Sequence, residues 1–345
     1  MQQSICFVNR LAFNPGGRCT FIRNLSKGLE KKYYCSNISG NKSNRVYSFG
    51  LIHFFIQSFV QVWNLNPDYV IGVGLSSLGS LIAGFIKRKP IVYNLSGPNV
   101  ISLRKRSFSL RQVYGIFFTR FVEKMALSLA TVITVPSNTS KEIIRIEYGA
   151  RIARKIQVIP EGIPLDNHPS KKYVNYLLFP WMTERKNLSF FLEHLPSILA
   201  KTSFNVLFMG FAEMIPEFHL KKLALFKERI KYTGIINEKQ FPLAELLVYI
   251  PPHEAHSYTV LEAAREGMPV LISHVDWLAD EFQDYPLKIN NFTGKELEQA
   301  IIFFSKNKKR LSSKIQSNFS LLLKKYDYSA MIKEYCFLLK SLEQH

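Results

Sequence analysis

The sequence predicts an α/β chain built as two parallel-sheet domains. Three observations predict it. Short apolar runs alternate with amphipathic helical stretches on both sides of one polar segment, residues 164–175. The length of 345 residues suits two domains of ordinary size. A hydrophobic share of 47% and an aromatic share of 13% are ample for two packed cores. Ligands of open parallel sheets bind at the carboxyl ends of the strands. Two such domains facing each other would place a site in the cleft between them.

The elements follow in order. Ser4–Val8 reads as a strand. The loop Phe13-Asn14-Pro15-Gly16-Gly17 comes next, then a helix with Phe21, Ile22, Leu25 and Leu29 on one face. Tyr69–Val73, after Pro67-Asp68, is a short buried strand. The wider stretch Val70–Ile86 is the best candidate for a membrane span. It holds four glycines, lies between Asp68 and Lys87, and reaches only the lower limit of spanning length. It divides naturally into strand, Gly-rich turn and helix, so no spanning segment is expected. Pro90–Leu95 and Thr131–Val135 are further strands, the second followed by Pro136-Ser137 and a helix from Ser140. Gln157–Ile159 meets the turn Pro160-Glu161-Gly162.

Pro164, Pro169, Lys171 and Lys172 mark the linker. The pattern then restarts. Tyr176–Phe179 is a strand, Asn187–Leu199 a helix, and Asn205–Met209 a strand ending at Gly210. Lys231–Gly234 reads as a short strand, Phe241–Leu247 as a helix, and Leu247–Ile250 and Val270–Ser273 as strands. Ser329–Leu342 is amphipathic and is expected to pack back across the cleft. The expected domains are 1–165, 166–326, and a C-terminal helix over 327–345 that returns to the first domain.

Composition narrows the partners. The formal net charge is +19, which calls for an anionic partner: nucleic acid, an anionic membrane face or a phosphorylated substrate. Cys6, Cys19, Cys35 and Cys336 lie far apart, with no C-x-x-C pair and no metal-ligand spacing. That usage fits free thiols in a reducing, cytoplasmic compartment. The apolar residues near the N-terminus end too soon, at Asn9 and Arg10, for a signal peptide.

The chemistry concentrates between Pro251 and Leu271. Glu254 and Glu262 stand eight positions apart. Glu254 lies in a polar loop with His253, His256 and Ser257; Glu262 lies in an apolar helical stretch that stops at Gly267-Met268-Pro269. A helix starting near Ser257 presents free N–H groups at its N-terminus, where an anion can rest. Carboxylates on either side would accept hydroxyl hydrogen bonds. A nucleotide sugar offers that layout: ribose hydroxyls, a diphosphate, then sugar hydroxyls. An isolated pair at this spacing is more often a loop carboxylate and an exposed helix residue, and the flanking pattern turns the balance.

These residues resemble a retaining glycosyltransferase of family 4, with the two-Rossmann GT-B fold. The specific pieces are E-x7-E followed by Gly267-Met268-Pro269-Val270, the loop at Gly16-Gly17, Lys155-Ile156-Gln157-Val158-Ile159-Pro160-Glu161-Gly162, and Thr183-Glu184-Arg185-Lys186-Asn187. The resemblance runs from residue 13 to Tyr328. It implies that Glu254 contacts the donor sugar near its reacting face and that Lys186 neutralises the departing phosphate. Glu262 would hold the ribose. The amides of Tyr258, Thr259 and Val260 would cradle the diphosphate, Ser257 and Gly234 would also bind the donor, and Gly16 and Gly17 would let the backbone approach it. No metal and no cofactor is implied, the nucleoside-diphosphate sugar being a co-substrate. No D-x-D pair is present.

Two positions depart from the family. Pro180-Trp181 stands where members usually carry Gly-Arg, so Arg185 is the candidate for the second phosphate charge. Ser96 stands where many members carry a His near the donor sugar.

Residues 87–124 hold Lys87, Arg88, Lys89, Arg104, Lys105, Arg106, Arg111, Arg120 and Lys124 against the single acid Glu123. Phe108, Tyr114, Phe117, Phe118 and Phe121 are interleaved. The segment reads equally well as an interfacial membrane helix, with Arg104, Lys105 and Arg106 on the membrane or acceptor side, or as a helix with its aromatics in the core. Nucleic acid is the weaker reading, because no recognised binding module accompanies the charge.

The expected activity is transfer of a sugar to a hydroxyl of a glycan or lipid-linked acceptor in bacterial surface polysaccharide synthesis (lipopolysaccharide, O-antigen or capsule). The enzyme would be cytoplasmic and peripheral on the inner face of the membrane. The competing readings are a nucleotide-sugar epimerase and a non-catalytic partner protein with the same fold. A pyridoxal-type phosphorylase is excluded by length and by the missing cofactor lysine motif.

Overall fold

The computed structural model of the protein describes residues 2–9, 17–39, 47–95, 110–165, 171–211, 215, 217–234 and 241–344. The chain divides into two compact units, residues 1–164 with 327–345, and residues 165–326.

The first unit holds a six-stranded sheet in the order β2-β1-β3-β4-β5-β6. Its strands are β1 (Ser4–Val8), β2 (Tyr34–Ile38), β3 (Tyr69–Val73), β4 (Ile91–Asn94), β5 (Val132–Val135) and β6 (Ile156–Val158). All pairings are parallel. The runs Ile5–Val8, Tyr69–Val73 and Ile91–Asn94 are wholly buried, the mark of strands covered on both faces. Helices Tyr47–Leu65, Leu78–Ile86 and Leu110–Leu129 pack side by side in that order. The helix Asn138–Tyr148 joins the row: Tyr148 donates to Glu123 at 2.5 Å and Arg120 donates to the Glu147 carbonyl at 3.0 Å. The right-handed rule for parallel crossovers puts these helices on one face of the sheet.

The C-terminal helix Tyr328–Ser341 packs on the helix Gly17–Leu29 of the same unit. Asp327 caps it, accepting from the Ala330 N–H at 2.7 Å. Three contacts seat it. Tyr328 donates to the Asn24 carbonyl at 2.9 Å, Tyr335 donates to Thr134 at 2.8 Å, and a Cβ on Gly162 would lie 2.5 Å from the Asp327 carbonyl. Only glycine fits at that approach.

The second unit holds β7 (Tyr176–Phe179), β8 (Asn205–Phe208), β9 (Ile230–Tyr232), β10 (Leu246–Tyr249), β11 (Val270–Ser273) and β12 (Lys288–Ile289). Their order is β12-β11-β10-β7-β8-β9, all parallel. The chain runs outward from β7 through β8 to β9, then returns to the other side of β7 for β10, β11 and β12. This is the doubly wound order of a dinucleotide fold, with its reversal between β7 and β10. Leu177, Phe179, Phe191, Leu192 and Phe208 are fully buried between sheet and helix Leu188–Lys201, and Leu178 is fully buried on the other face. Each such side chain contributes roughly 1.5–3 kcal/mol.

The two-domain α/β class is as predicted, and most strands fall within a residue of their expected bounds. One element does not. Phe241–Leu247 is not a helix. Pro242 lacks an N–H, and the segment is extended. Leu243 donates to the Lys171 carbonyl at 3.0 Å and accepts from the Tyr173 N–H at 2.7 Å, so it bridges beside β10 instead of coiling. The helix expected from Ser140 starts two residues earlier, because Ser137 is its cap and accepts from the Ser140 N–H at 3.1 Å. Strand β2 and helices Tyr47–Leu65 and Gly294–Lys325 have no counterpart in the sequence reading. No helix among the described residues is long and apolar enough to cross a membrane, and no two cysteines form a disulfide.

Candidate active site

The second unit alone brings Lys186 and Glu254 together. Lys186 ends a short turn of 3-10 helix, Glu184–Lys186, that follows β7; Glu254 lies in the loop that follows β10. The two residues therefore flank the reversal point of the sheet, at its carboxyl edge, where doubly wound folds bind ligands. Lys186 Nζ donates to Glu254 Oε2 at 2.6 Å, and both side chains are buried.

Tyr249, the last residue of β10, completes the cluster. Lys186 Nζ donates to its hydroxyl, which in turn donates to Glu254 Oε2. The ammonium also sits 4.4 Å from the centre of the tyrosine ring. Sequence reasoning had no place for Tyr249. Its signal was positional: a tyrosine ending an apolar strand next to a carboxylate motif.

Burial by itself would raise the Glu254 carboxyl. The charges of Lys186 and Arg185, with hydrogen bonds from Lys186 and Tyr249, outweigh it and hold the carboxyl below its ordinary value. Burial pulls the Lys186 ammonium down, opposed by Glu254. Burial, then the Glu254 charge, raises the Tyr249 phenol well above its ordinary value. Arg185 is itself exposed, yet its charge acts on all three groups.

The backbone around the cluster is tightly shaped. Trp181 (φ 49°), Asn187 (φ 65°) and Asp276 (φ 43°) all adopt left-handed conformations, which non-glycine residues hold only where the surroundings demand it. Trp181 is half-buried and its carbonyl accepts from the Thr183 N–H at 2.7 Å, tightening the turn that delivers Lys186. Asp276 fixes the opposite loop. Its Oδ2 accepts from the Glu254 N–H at 3.1 Å and lies 2.9 Å from His253 Nδ1, while the Trp277 N–H donates to the Glu254 carbonyl at 3.1 Å.

The helix Tyr258–Arg265 begins four residues after Glu254. Ser257 caps it, accepting from the Val260 N–H at 3.3 Å. Of the three amides expected to face a diphosphate, that of Val260 is thus already engaged; Tyr258 and Thr259 complete the first turn. Glu262 lies one turn further in, half-buried, and the helix closes at Gly267 (φ 67°). His256 is enclosed by the rings of Tyr258, Trp277 and Tyr326, with centroids 5.1, 5.2 and 5.4 Å away. Burial lowers its pKa to about 4, partly opposed by Glu254, so it is neutral at ordinary pH. Gly234 (φ 68°) follows β9, its backbone close to the Phe211 ring.

Lys186, Glu254, Glu262, Arg185, Ser257, Tyr258, Thr259, Val260 and Gly234 all belong to the second unit. Gly17 opens the first helix of the first unit. Gly16, Ser96, Arg104, Lys105 and Arg106 lie outside the described residues. Among the described residues, no group of three His, Cys, Asp or Glu side chains could hold a metal ion.

Residues 176–307, which contain Lys186, Glu254 and Glu262, match the family model described as glycosyl transferases group 1. No curated protein sequence matches the chain. Among solved structures it is similar to Anabaena HepE in complex with UDP-glucose, at 14% identity and TM-score 0.75, covering 98% of this chain and 99% of that one. It is similar to sucrose-phosphate synthase from Thermosynechococcus elongatus at 15% identity and TM-score 0.76, covering 99% of each chain. The UDP-N-acetylglucosamine 2-epimerase of Rickettsia bellii is less similar, at 13% identity and TM-score 0.62, covering 98% of this chain and 96% of that one. The fold is therefore that of the GT-B glycosyltransferases, with two Rossmann-like units.

Proposed function

We propose that the protein is a retaining glycosyltransferase that moves a sugar from a nucleoside-diphosphate sugar to a hydroxyl of a glycan or lipid-linked acceptor. The carrying observation is the Lys186–Glu254 pair, buried at the reversal point of the second sheet inside the segment that matches the group 1 model. HepE, which shares the fold, is bound to UDP-glucose.

In this reading the second unit binds the donor and the first unit the acceptor. Glu262 accepts from the ribose hydroxyls. The helix N-terminus at Ser257, Tyr258 and Thr259, with Lys186 and Arg185, stabilises the diphosphate as it departs. The bond between the anomeric carbon and the phosphate oxygen breaks, and the acceptor oxygen bonds to that carbon from the same face. The departing phosphate oxygen takes the acceptor's proton. Glu254 orients the sugar through its hydroxyls. The charge stabilisation comes from side chains and a helix dipole, so transfer proceeds without a metal. The setting is bacterial surface polysaccharide synthesis at the inner face of the cytoplasmic membrane.

Likeness to the Rickettsia epimerase supports a second reading, inversion at C2 of a nucleotide sugar without an acceptor. One experiment separates the two. The protein is incubated with a panel of nucleotide sugars, with and without a membrane extract as acceptor and with EDTA, and the products are followed by NMR. Transfer releases nucleoside diphosphate in an acceptor-dependent, EDTA-insensitive way that Glu254→Gln abolishes. An epimerised nucleotide sugar formed without acceptor replaces the transferase reading with the epimerase one. Release unchanged in Glu254→Gln removes the pair from the chemistry.

A further inference from the structure

We infer that the outer face of the helix row in the first unit is a docking surface for an anionic phospholipid bilayer. This gives the membrane partner proposed above a place on the chain. It is read from lipid alone, so it stands or falls apart from the glycosyl-transfer reading.

Three aromatics of the basic helix Leu110–Leu129 are not in the core. Phe117, Phe118 and Phe121 are 67%, 69% and 62% exposed, on the face that also carries Arg120 and Lys124. For these three side chains the core reading does not hold. The neighbouring helix Leu78–Ile86 ends in exposed Phe85 and Ile86, followed at once by Lys87, Arg88 and Lys89. The next helix, Tyr47–Leu65, contains no charged residue, and turns Ile52, Ile56, Val60 and Trp63 outward at helical spacing. Lys87 lies over the Trp63 ring at 4.8 Å and donates to its carbonyl.

Three adjacent helices thus present apolar side chains to solvent where a soluble surface carries polar ones. Apolar exposure on three adjacent helices marks an interaction site. The charge decides what covers it. The row holds three acids, Glu123, Glu142 and Glu147: Glu123 is buried against Tyr148, and Glu142 is paired with Arg145 at 2.5 Å. The bases around the apolar side chains are Lys87, Arg88, Lys89, Arg120 and Lys124. A second copy would bring like charges face to face, on a chain of net charge +19. An anionic bilayer instead offers headgroups to the bases and acyl chains to the aromatics, the pairing that holds interfacial helices.

The test is flotation of the full chain with vesicles of phosphatidylglycerol mixed into phosphatidylcholine, against pure phosphatidylcholine, at low and high salt. The expected result is binding to the anionic vesicles only, weakened by salt. A Phe117→Ser/Phe118→Ser/Phe121→Ser variant is expected to lose at least tenfold in bound fraction. An Ile56→Ser/Val60→Ser variant, on a different helix, should also lose binding. Arg88→Gln/Lys124→Gln should lose the preference for anionic lipid. Circular dichroism and sedimentation velocity of each variant accompany the assay. No binding at low salt, equal binding to both vesicles, or variants that remain folded and bind like the parent would overturn the inference. A dimer in lipid-free solution that the phenylalanine variant dissociates would also overturn it, assigning the face to self-association.

Discussion

Lys186 and Glu254 are separated by 68 residues in sequence and by 2.6 Å in the fold, in a buried ion pair bridged by the hydroxyl of Tyr249. The pair exists because the chain leaves β7 and β10 at the same edge of the sheet.

Removing one partner leaves the other charge buried. Glu254→Ala is expected to destabilise the protein by about 3–5 kcal/mol, whereas a Lys186→Met/Glu254→Leu double variant, which deprives only the Tyr249 hydroxyl of these partners, should recover part of that loss. Urea unfolding followed by tryptophan fluorescence reads this, since Trp181 and Trp277 lie in the same unit. Additive losses in the double variant would mean that the pair is not coupled.

Tyr249→Phe deletes only the bridging hydroxyl. A hydrogen bond to a charged group contributes about 1.5–3 kcal/mol, so a stability loss in that range is expected. The larger effect should appear in kcat, because Lys186 and Glu254 lose their fixed separation. Unchanged kcat and stability would show the hydroxyl to be idle.

Stability should fall in mild acid through His256. Its folded pKa is depressed from 6.5 to about 4 by burial, and both ring nitrogens are shielded from solvent. Between those values the unfolded chain binds a proton that the folded chain does not, so stability is full above about pH 6.5 and declines as pH falls toward 4. At roughly 1.4 kcal/mol per unit the decline is about 3 kcal/mol. His256→Phe keeps the ring packing and should flatten the profile over that window; a slope identical to the parent's would contradict this account.

Gly162→Ala should loosen the C-terminal helix. The added methyl would meet the Asp327 backbone at 2.5 Å, where nothing flexible can give way. Hydrogen exchange is expected to rise over residues 328–341 and to stay unchanged over β10. Uniform protection would show that the approach can relax.

The parts of the fold that were legible in the sequence are those with strong local signals. Tyr69–Val73, Ile91–Tyr93 and Tyr176–Phe179 are uninterrupted apolar runs, as strands covered on both faces must be. Ser257 reads as a cap because serine before an apolar helical run has one common use. Glu254, Glu262 and Lys186 were singled out through a motif, whereas the Lys186–Glu254 contact depends on strand order, which no local pattern encodes. Tyr249 and Asp276 were missed for a related reason: Tyr249 reaches across the reversal point to Lys186, 63 positions away, and Asp276 reaches from the loop after β11 to Glu254, 22 positions away. Phe241–Leu247 misled because apolar content alone suggested a helix, while Pro242 and the bridge from Leu243 to Lys172 decided otherwise. Phe117, Phe118 and Phe121 had an ambiguous direction, since helical spacing says which residues share a face but not where that face points.

The central claim is that the Lys186–Glu254 pair marks a nucleotide-sugar site. The most direct measurement is calorimetric titration of nucleoside diphosphates and nucleotide sugars into the parent and into the Lys186→Met/Glu254→Leu variant, with unfolding curves confirming that both are folded. The account predicts one site per chain in the parent and affinity at least tenfold weaker in the variant. Equal affinity in the two folded proteins, or no binding of any nucleotide by the parent, would contradict it.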